Sequence, residues 1–349
     1  MRKIVIILLV IILFSNCKSG FKTINEGFKS VVIDTLIKGK MNVRAILIDK
    51  NKVWYANDQS SIGYCDIKSS THWSKKINDS IVKSEFRSIS QNSNAVFIAN
   101  IGNPAFFYKL NKSNLEHLKV YQENNTKAFY DSMLFWNEKE GIAVGDPTED
   151  CLSIVVTRDG GNSWKKTDCS LLPKVVDGEA AFAASNTNIC INKNRTWIVS
   201  GGKKARLFYS VDKGKSWVVY ETPIVQGLAM TGIFSADFYN EKIGAIAGGN
   251  YELPKQDSNA IAITFDSGKT WKIISENSGI GYVSCVQFVP NSNGKQIVTV
   301  GPSGLFHSAD SGETWKRLSS DNALYTLRFI DKNTAIAAGK NKIIRIKFY

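Results

Sequence analysis

Three observations predict an all-β fold, arranged as a seven-bladed β-propeller with four antiparallel strands per blade. First, one eight-residue phrase recurs four times: TRDGGNSW from Thr157, SVDKGKSW from Ser210, TFDSGKTW from Thr264 and SADSGETW from Ser308. Second, an alternating apolar run leads into every copy, as in SIVVTRDGGNSW and AIAITFDSGKTW. Period-two alternation entering an Asp-x-Gly turn reads as strand, tight turn, strand. Third, modules starting near Val43, Phe86, Phe129, Glu179, Gly232, Val283 and Leu324 repeat every 41 to 53 residues. That period, with four strands to the unit, is the mark of propeller blades.

Along the chain, Arg2 and Lys3 precede an apolar run from Ile4 to Phe14. The run is shorter than the roughly 20 residues a membrane-spanning helix needs, and it fits the apolar region of a secretory signal. Cys17 follows at once, which resembles a bacterial lipoprotein signal. The expected organisation is a signal peptide at 1–16, a lipidated tether at 17–28 and the propeller at 29–349. KSVVIDTLI, Lys29 to Ile37, is a strand with no local partner. The last module stops after three strands at KIIRIKFY, so the segment at about 29–37 is expected to complete it and close the ring. Closure removes sheet edges that would otherwise pair with other chains. Between the ends, each module pairs two short runs around a polar turn, as in SMLFWNEKEGIAVG and LRFIDKNTAIAAG, with the repeated phrase at the turn between its third and fourth strands. In the first two modules CDIKSSTHW and LNKSNLEHL keep the length and lose the key residues.

Composition narrows the function classes. An apolar fraction of 43% supports a sizeable core, so disorder is expected only near the ends. The formal charge is +13, of which Arg2 and Lys3 carry two. Lysine is scattered and forms no dense block, so the excess reads as surface composition and not as a nucleic-acid footprint. Of six cysteines, five remain after Cys17, an odd number that implies no complete disulfide framework. Cys151 and Cys169 flank one repeated phrase and would lie almost opposite each other on a hairpin. Their spacing leaves a disulfide open. His72, His117 and His307 are scattered without metal-ligand spacing, so neither a metal nor a cofactor is expected. A Gly-x-Gly-x-x-Gly opening a helix is absent, as is a Gly-x-Ser-x-Gly elbow.

The chemistry of the repeated phrase suits a fastening. Asp159, Asp212, Asp266 and Asp310 can accept hydrogen bonds from turn amides. Gly161, Gly214, Gly268 and Gly312 can take positive φ. Trp164, Trp217, Trp271 and Trp315 would bury roughly 150–250 Å² each beside the neighbouring blade. The pattern Ser/Thr-x-Asp-x-Gly-x-Ser/Thr-Trp resembles the Asp-box, or BNR repeat, of sialidases, sortilin-type receptors and propellers of the photosystem II assembly factor type. That resemblance implies a propeller and leaves function open, because those relatives do different jobs.

In a propeller the starts of the inner strands and the loops after the second strands converge on one face, away from the Asp-box turns. Arg44, Arg87, Asp131 and Glu179 hold the first kind of position. The loops GDPTED, GGKKAR and GGNYELPKQDSN supply Asp146, Glu149, Asp150, Lys203, Lys204, Arg206, Tyr251 and Glu252. From Phe129 to Trp315, the strings YDSMLFWNEKEGIAVGDP, GEAAFAASNTN, GGKKARLF, GIFSADF and AGGNYELP resemble a bacterial envelope family of assembly-factor-like propellers. By that likeness Asp131, Asp146, Glu179, Arg206 and Tyr251 are the leading site positions, with Arg44 and Arg87 as further ligand-binding candidates.

The expectation is a non-catalytic monomer tethered to a membrane by Cys17, on the periplasmic side or the cell surface. It would bind a protein or glycan at its channel mouth. The alternative is a sialidase-like glycoside hydrolase using Asp131, Asp146 or Glu179. Such chemistry needs two carboxylates roughly 5–5.5 Å or 6.5–9.5 Å apart. The sialidase Phe/Tyr-Arg-Ile-Pro motif is missing, since neither VRAI nor FRSI supplies the proline. An oxidoreductase, a label some such relatives carry, has the least support.

Overall fold

The computed structural model describes residues 27–77 and 84–349. The signal peptide and Cys17 lie outside the described residues. The chain is built of strands. The first group is β1 (Val31–Asp49), β2 (Lys52–Asn57), β3 (Ser61–Asp66) and β4 (His72–Lys76). Next come β5 (Glu85–Gln91), β6 (Ala95–Ile101), β7 (Ala105–Asn111) and β8 (His117–Glu123). The third group is β9 (Tyr130–Phe135), β10 (Gly141–Gly145), β11 (Ser153–Thr157) and β12 (Lys165–Lys166). There follow β13 (Glu179–Ala180), β14 (Ile189–Asn192), β15 (Arg195–Val199), β16 (Gly201–Gly202), β17 (Arg206–Ser210) and β18 (Val218–Glu221). The remainder is β19 (Thr231–Phe238), β20 (Gly244–Asn250), β21 (Ile261–Thr264), β22 (Lys272–Ile273), β23 (Cys285–Phe288), β24 (Ile297–Gly301), β25 (Gly304–Ser308), β26 (Lys316–Ser319), β27 (Leu324–Asp331) and β28 (Thr334–Phe348).

These strands form an antiparallel β-propeller with six hydrogen-bonded sheets among the described residues, which corrects the expected seven blades. Four sheets have four strands. The order in the fifth is β27-β28-β1-β2-β3-β4, and in the sixth β13-β16-β19-β20-β21-β22. The difference comes from strand continuity. β1 runs for 19 residues, pairing first with β28 from Val31 to Asn42 and then with β2 from Val43 to Asp49. The strands expected to form a last and a first blade are thereby joined in one sheet, with register irregularities at Thr35/Ile37, Lys38/Asn42 and Val43/Ala45. Its two halves pack against each other through Val43, Tyr55, Ile336 and Ile343.

Burial follows position in the ring. β10, β20, β24 and β25 are buried along their whole length, because neighbouring sheets cover both faces. The outer strands β4 and β8 alternate or stay largely exposed. Apolar clusters fill the spaces between sheets, as where Phe97 and Phe107 meet Met133, Val155 and Trp164.

The repeated phrases form one turn four times over. Asp266 Oδ1 accepts from the Thr270 amide at 2.9 Å and from Thr264 Oγ1 at 2.8 Å, and Thr270 Oγ1 donates to Asp266 Oδ2 at 2.6 Å. The same pattern recurs at Asp159, Asp212 and Asp310. Burial works to raise the Asp159 carboxyl, but bonds from Ser163, Thr157 and the Asn162 amide prevail and bring it down to about 2. Gly268 has φ +92°, and a Cβ there would lie 2.1 Å from Leu207 of the preceding sheet. The turn therefore docks on its neighbour. Trp164 is buried, whereas Trp217, Trp271 and Trp315 are half-buried. Their indole N–H groups donate to the carbonyls of Gly214, Gly268 and Ile274. Asp266→Ala is expected to cost roughly 1–3 kcal/mol as turn donors lose their acceptor. Urea denaturation checks it, and an unchanged midpoint would remove the structural role.

Cys151 and Cys169 form a disulfide with Cα atoms 5.7 Å apart. Cys65, Cys190 and Cys285 are free and buried.

Candidate functional site

The channel along the ring axis is plugged. Glu179 was expected to start the inner strand of its module. It lies instead on the two-residue β13, and the inner strand is β14, ten residues later. The intervening segment crosses the axis. Asn186 Oδ1 accepts from the amides of Ile89 and Met133, and its Nδ2 donates to Ile89 O at 2.8 Å. Ser185 Oγ donates to Ser284 O at 2.6 Å, and Thr187 Oγ1 to Ser235 Oγ at 2.8 Å. Thr326 and Arg328 donate to Ser185 O, and Arg44 to Ala184 O. Strands β1, β5, β9, β19 and β27, together with Ser284 just before β23, are thus all tied to one short stretch of polar residues. Ser185 and Asn188 are fully buried.

Above this plug sits a cavity of about 400 Å³. Residues 180–184 form part of its lining, joined by Arg44, Arg87, Phe129, Asp131, Asp146, Met230, Phe234, Tyr251 and Tyr282. Of the five leading positions and two further candidates, five therefore meet here: Arg44, Arg87, Asp131, Asp146 and Tyr251. Close backbone approach makes the seat for the lining segment. β13 pairs with β16, and β16 with β19 through Gly201 and Gly232. Gly232 has φ +127°, and a Cβ on it would fall 2.3 Å from Gly201 Cα, so the junction requires glycine.

The other two candidates, Glu179 and Arg206, do not line the cavity. Arg206 Nη2 reaches Glu179 Oε2 at 2.6 Å, and its Nε reaches Oε1 at 3.0 Å. Ser200 Oγ and the Val176 amide complete the carboxylate's partners. The Glu179 side chain is 0% exposed and that of Arg206 13%. This is a buried ion pair that anchors β13, and it replaces the expected placement of both residues at the mouth. Farther out, Asp150 pairs with Lys174 and Lys204 with Glu221 on the surface.

Within the cavity the charged groups differ in how they are met. Arg87 Nε lies 2.6 Å from Glu85 Oε1. Arg44 stacks 4.1 Å over the Tyr325 ring besides donating to Ala184. Asp146 Oδ1 accepts from the Ala181 amide at 3.0 Å. Asp131 is 0% exposed, and neither of its carboxylate oxygens has a hydrogen-bond partner among the described residues. Burial raises the Asp131 carboxyl well above its usual range, the Asp146 charge raises it further, and Arg87 draws it partly back. Burial likewise raises Asp146, against the pull of the Ala181 amide. Two such neighbours resist ionising together.

One wall is aromatic. Phe182 and Phe234 stack with centroids 4.0 Å apart and planes 6° apart. Tyr282 meets Phe234 edge-on at 4.8 Å, and Tyr251, 46% exposed, stands at the rim. Phe182, Phe234, Met230 and Tyr282 were not legible as site residues. In a β-rich chain an isolated aromatic reads as core until the ring places it beside a mouth.

No family model matches the chain, and no curated protein does. Solved structures carry the likeness. A structure of YCF48 bound to D1 peptide superposes with a TM-score of 0.66 at 12% identity, covering 93% of this chain and 98% of that one. YCF48 from Cyanidioschyzon merolae gives 0.64 at 14%, covering 91% and 98%. A structure of RRP9 WD40 repeats gives 0.65 at 12%, covering 91% and 97%. At such identities the likeness shows the β-propeller fold.

Proposed function

We propose that this chain is a non-catalytic propeller that binds a peptide or protein partner at its channel mouth. The observation that carries this is the cavity above the plug, where Arg44, Arg87, Asp131 and Asp146 surround an aromatic wall. A blind, preformed pocket with a few convergent polar groups is the usual form of a binding site. YCF48, a propeller of the same fold, has been solved with a D1 peptide, which supports a peptide over a glycan. We place the protein at a membrane of the bacterial envelope, held by lipid on Cys17. The apolar run from Ile4 to Phe14 and the cysteine that follows support that placement.

The test is a cross-linking capture of the mature protein in its native envelope, beside an Arg87→Ala/Tyr251→Ala variant. The partner band is expected to fall at least tenfold in the variant. Equal capture by both would remove the mouth from the reading. A second reading, glycoside hydrolysis, is favoured by the raised Asp131 and Asp146 carboxyls facing one cavity. Turnover of a fluorogenic glycoside that Asp146→Asn abolishes, with folding intact, would establish it.

A further inference from the structure

We propose that the Asp131–Asp146 corner of the cavity receives one cationic group, a primary ammonium or guanidinium carried by the partner. This rests on the binding reading above and specifies its chemistry. The argument starts from what is missing. A buried carboxylate with no donor is costly, and Asp131 has none among the described residues for either oxygen. The cavity's own cations are engaged elsewhere, Arg87 on Glu85 and Arg44 on Ala184 and Tyr325. Asp146 holds a single backbone amide. The bonds these groups make leave Asp131 unmet among the described residues, so a donor carried by a ligand has a place there. An incoming hydroxyl would supply one donor, whereas an ammonium supplies three and a guanidinium five, enough to satisfy two carboxylates at once.

The rest of the cavity suits such a group. Phe182, Phe234 and Tyr282 can cover the aliphatic stem of a lysine or arginine, and aromatic faces attract cations. The volume, about 400 Å³, admits one side chain of that size. Arg44, Arg87, Glu85, Tyr251 and Tyr282 are the other charged or titratable groups near the corner. Burial raises both aspartates and the Asp146 charge raises Asp131 further, so a cation must displace a proton to be held. Binding is then expected to tighten as pH rises from about 5 to about 8, while an alkylammonium keeps its charge throughout.

The experiment is a calorimetric and NMR titration of the full chain with n-butylammonium and methylguanidinium chloride. n-Butanol and sodium butyrate serve as neutral and anionic controls. Fragments of this size are expected to bind with Kd on the order of millimolar. Asp131→Asn and Asp146→Asn keep the shape and remove the charge. Each is expected to weaken n-butylammonium at least tenfold and leave n-butanol unchanged. Three results overturn the proposal: n-butanol binding as well as the cation, both variants binding it unchanged, or no saturation below about 100 mM, which would leave the corner to water. Loss of partner capture in Arg87→Ala/Tyr251→Ala together with silent cations would remove only the cation assignment. Saturable cation binding together with equal capture would remove only the partner reading.

Discussion

Arg206→Ala is expected to lower the free energy of unfolding by about 3–5 kcal/mol, the cost of stranding one member of a buried ion pair. Glu179 is 0% exposed in its side chain, and the guanidinium supplies two of its contacts, at 2.6 and 3.0 Å. Without it the carboxylate keeps Ser200 Oγ and the Val176 amide, two neutral donors. The charge then lacks both water and a counter-ion. Urea denaturation of wild type and variant measures the loss. The Glu179→Gln/Arg206→Met double variant is expected to recover most of it, because the pair as a whole is worth far less than one partner left alone. A loss below about 1 kcal/mol in Arg206→Ala would show that water reaches Glu179. Because β13 seats the cavity lining, Arg206→Ala should also weaken partner capture, and Arg206→Lys should restore it only partly, lacking the fork.

The second large effect is expected at the plug. Asn186→Ala removes an acceptor from the Ile89 and Met133 amides and a donor to Ile89 O. Each buried backbone group left unpaired costs about 1–3 kcal/mol. Asn186 also has φ +57°, a region asparagine tolerates better than alanine. Together these give an expected loss of about 3–5 kcal/mol. Asn186→Gly separates the causes, since it keeps the backbone unstrained and deletes the same bonds. It should lose about 1 kcal/mol less than alanine. Thermal unfolding of the two variants side by side checks this. Equal, small losses would mean that the ring holds its shape without the plug.

Much of the fold could be read from residue order. Period-two runs such as SIVVT and AIAIT announced strands, and Asp-x-Gly turns announced where they reverse. Both signals act within about ten residues, so a linear string contains them. The site was legible in part for the same reason. Inner-strand starts and second-strand ends have fixed places in a blade, and Arg44, Arg87, Asp131, Asp146 and Tyr251 do share one cavity.

Other features depend on residues far apart in the chain. β1 pairs with β28 across some three hundred positions, and whether that pairing continues unbroken into the pairing with β2 is a matter of hydrogen bonding. Seven modules could be counted in the string, yet among the described residues the bonding joins them into six sheets. GEAAFAASNTN gave no sign that it would fill the axis, because nothing in its order says that six strands will surround it. Glu179 and Arg206 looked like mouth residues until packing brought them together. Local pattern governs which segments are strands and turns. Long-range packing governs which buried polar groups find partners, and here it left Asp131 without one among the described residues.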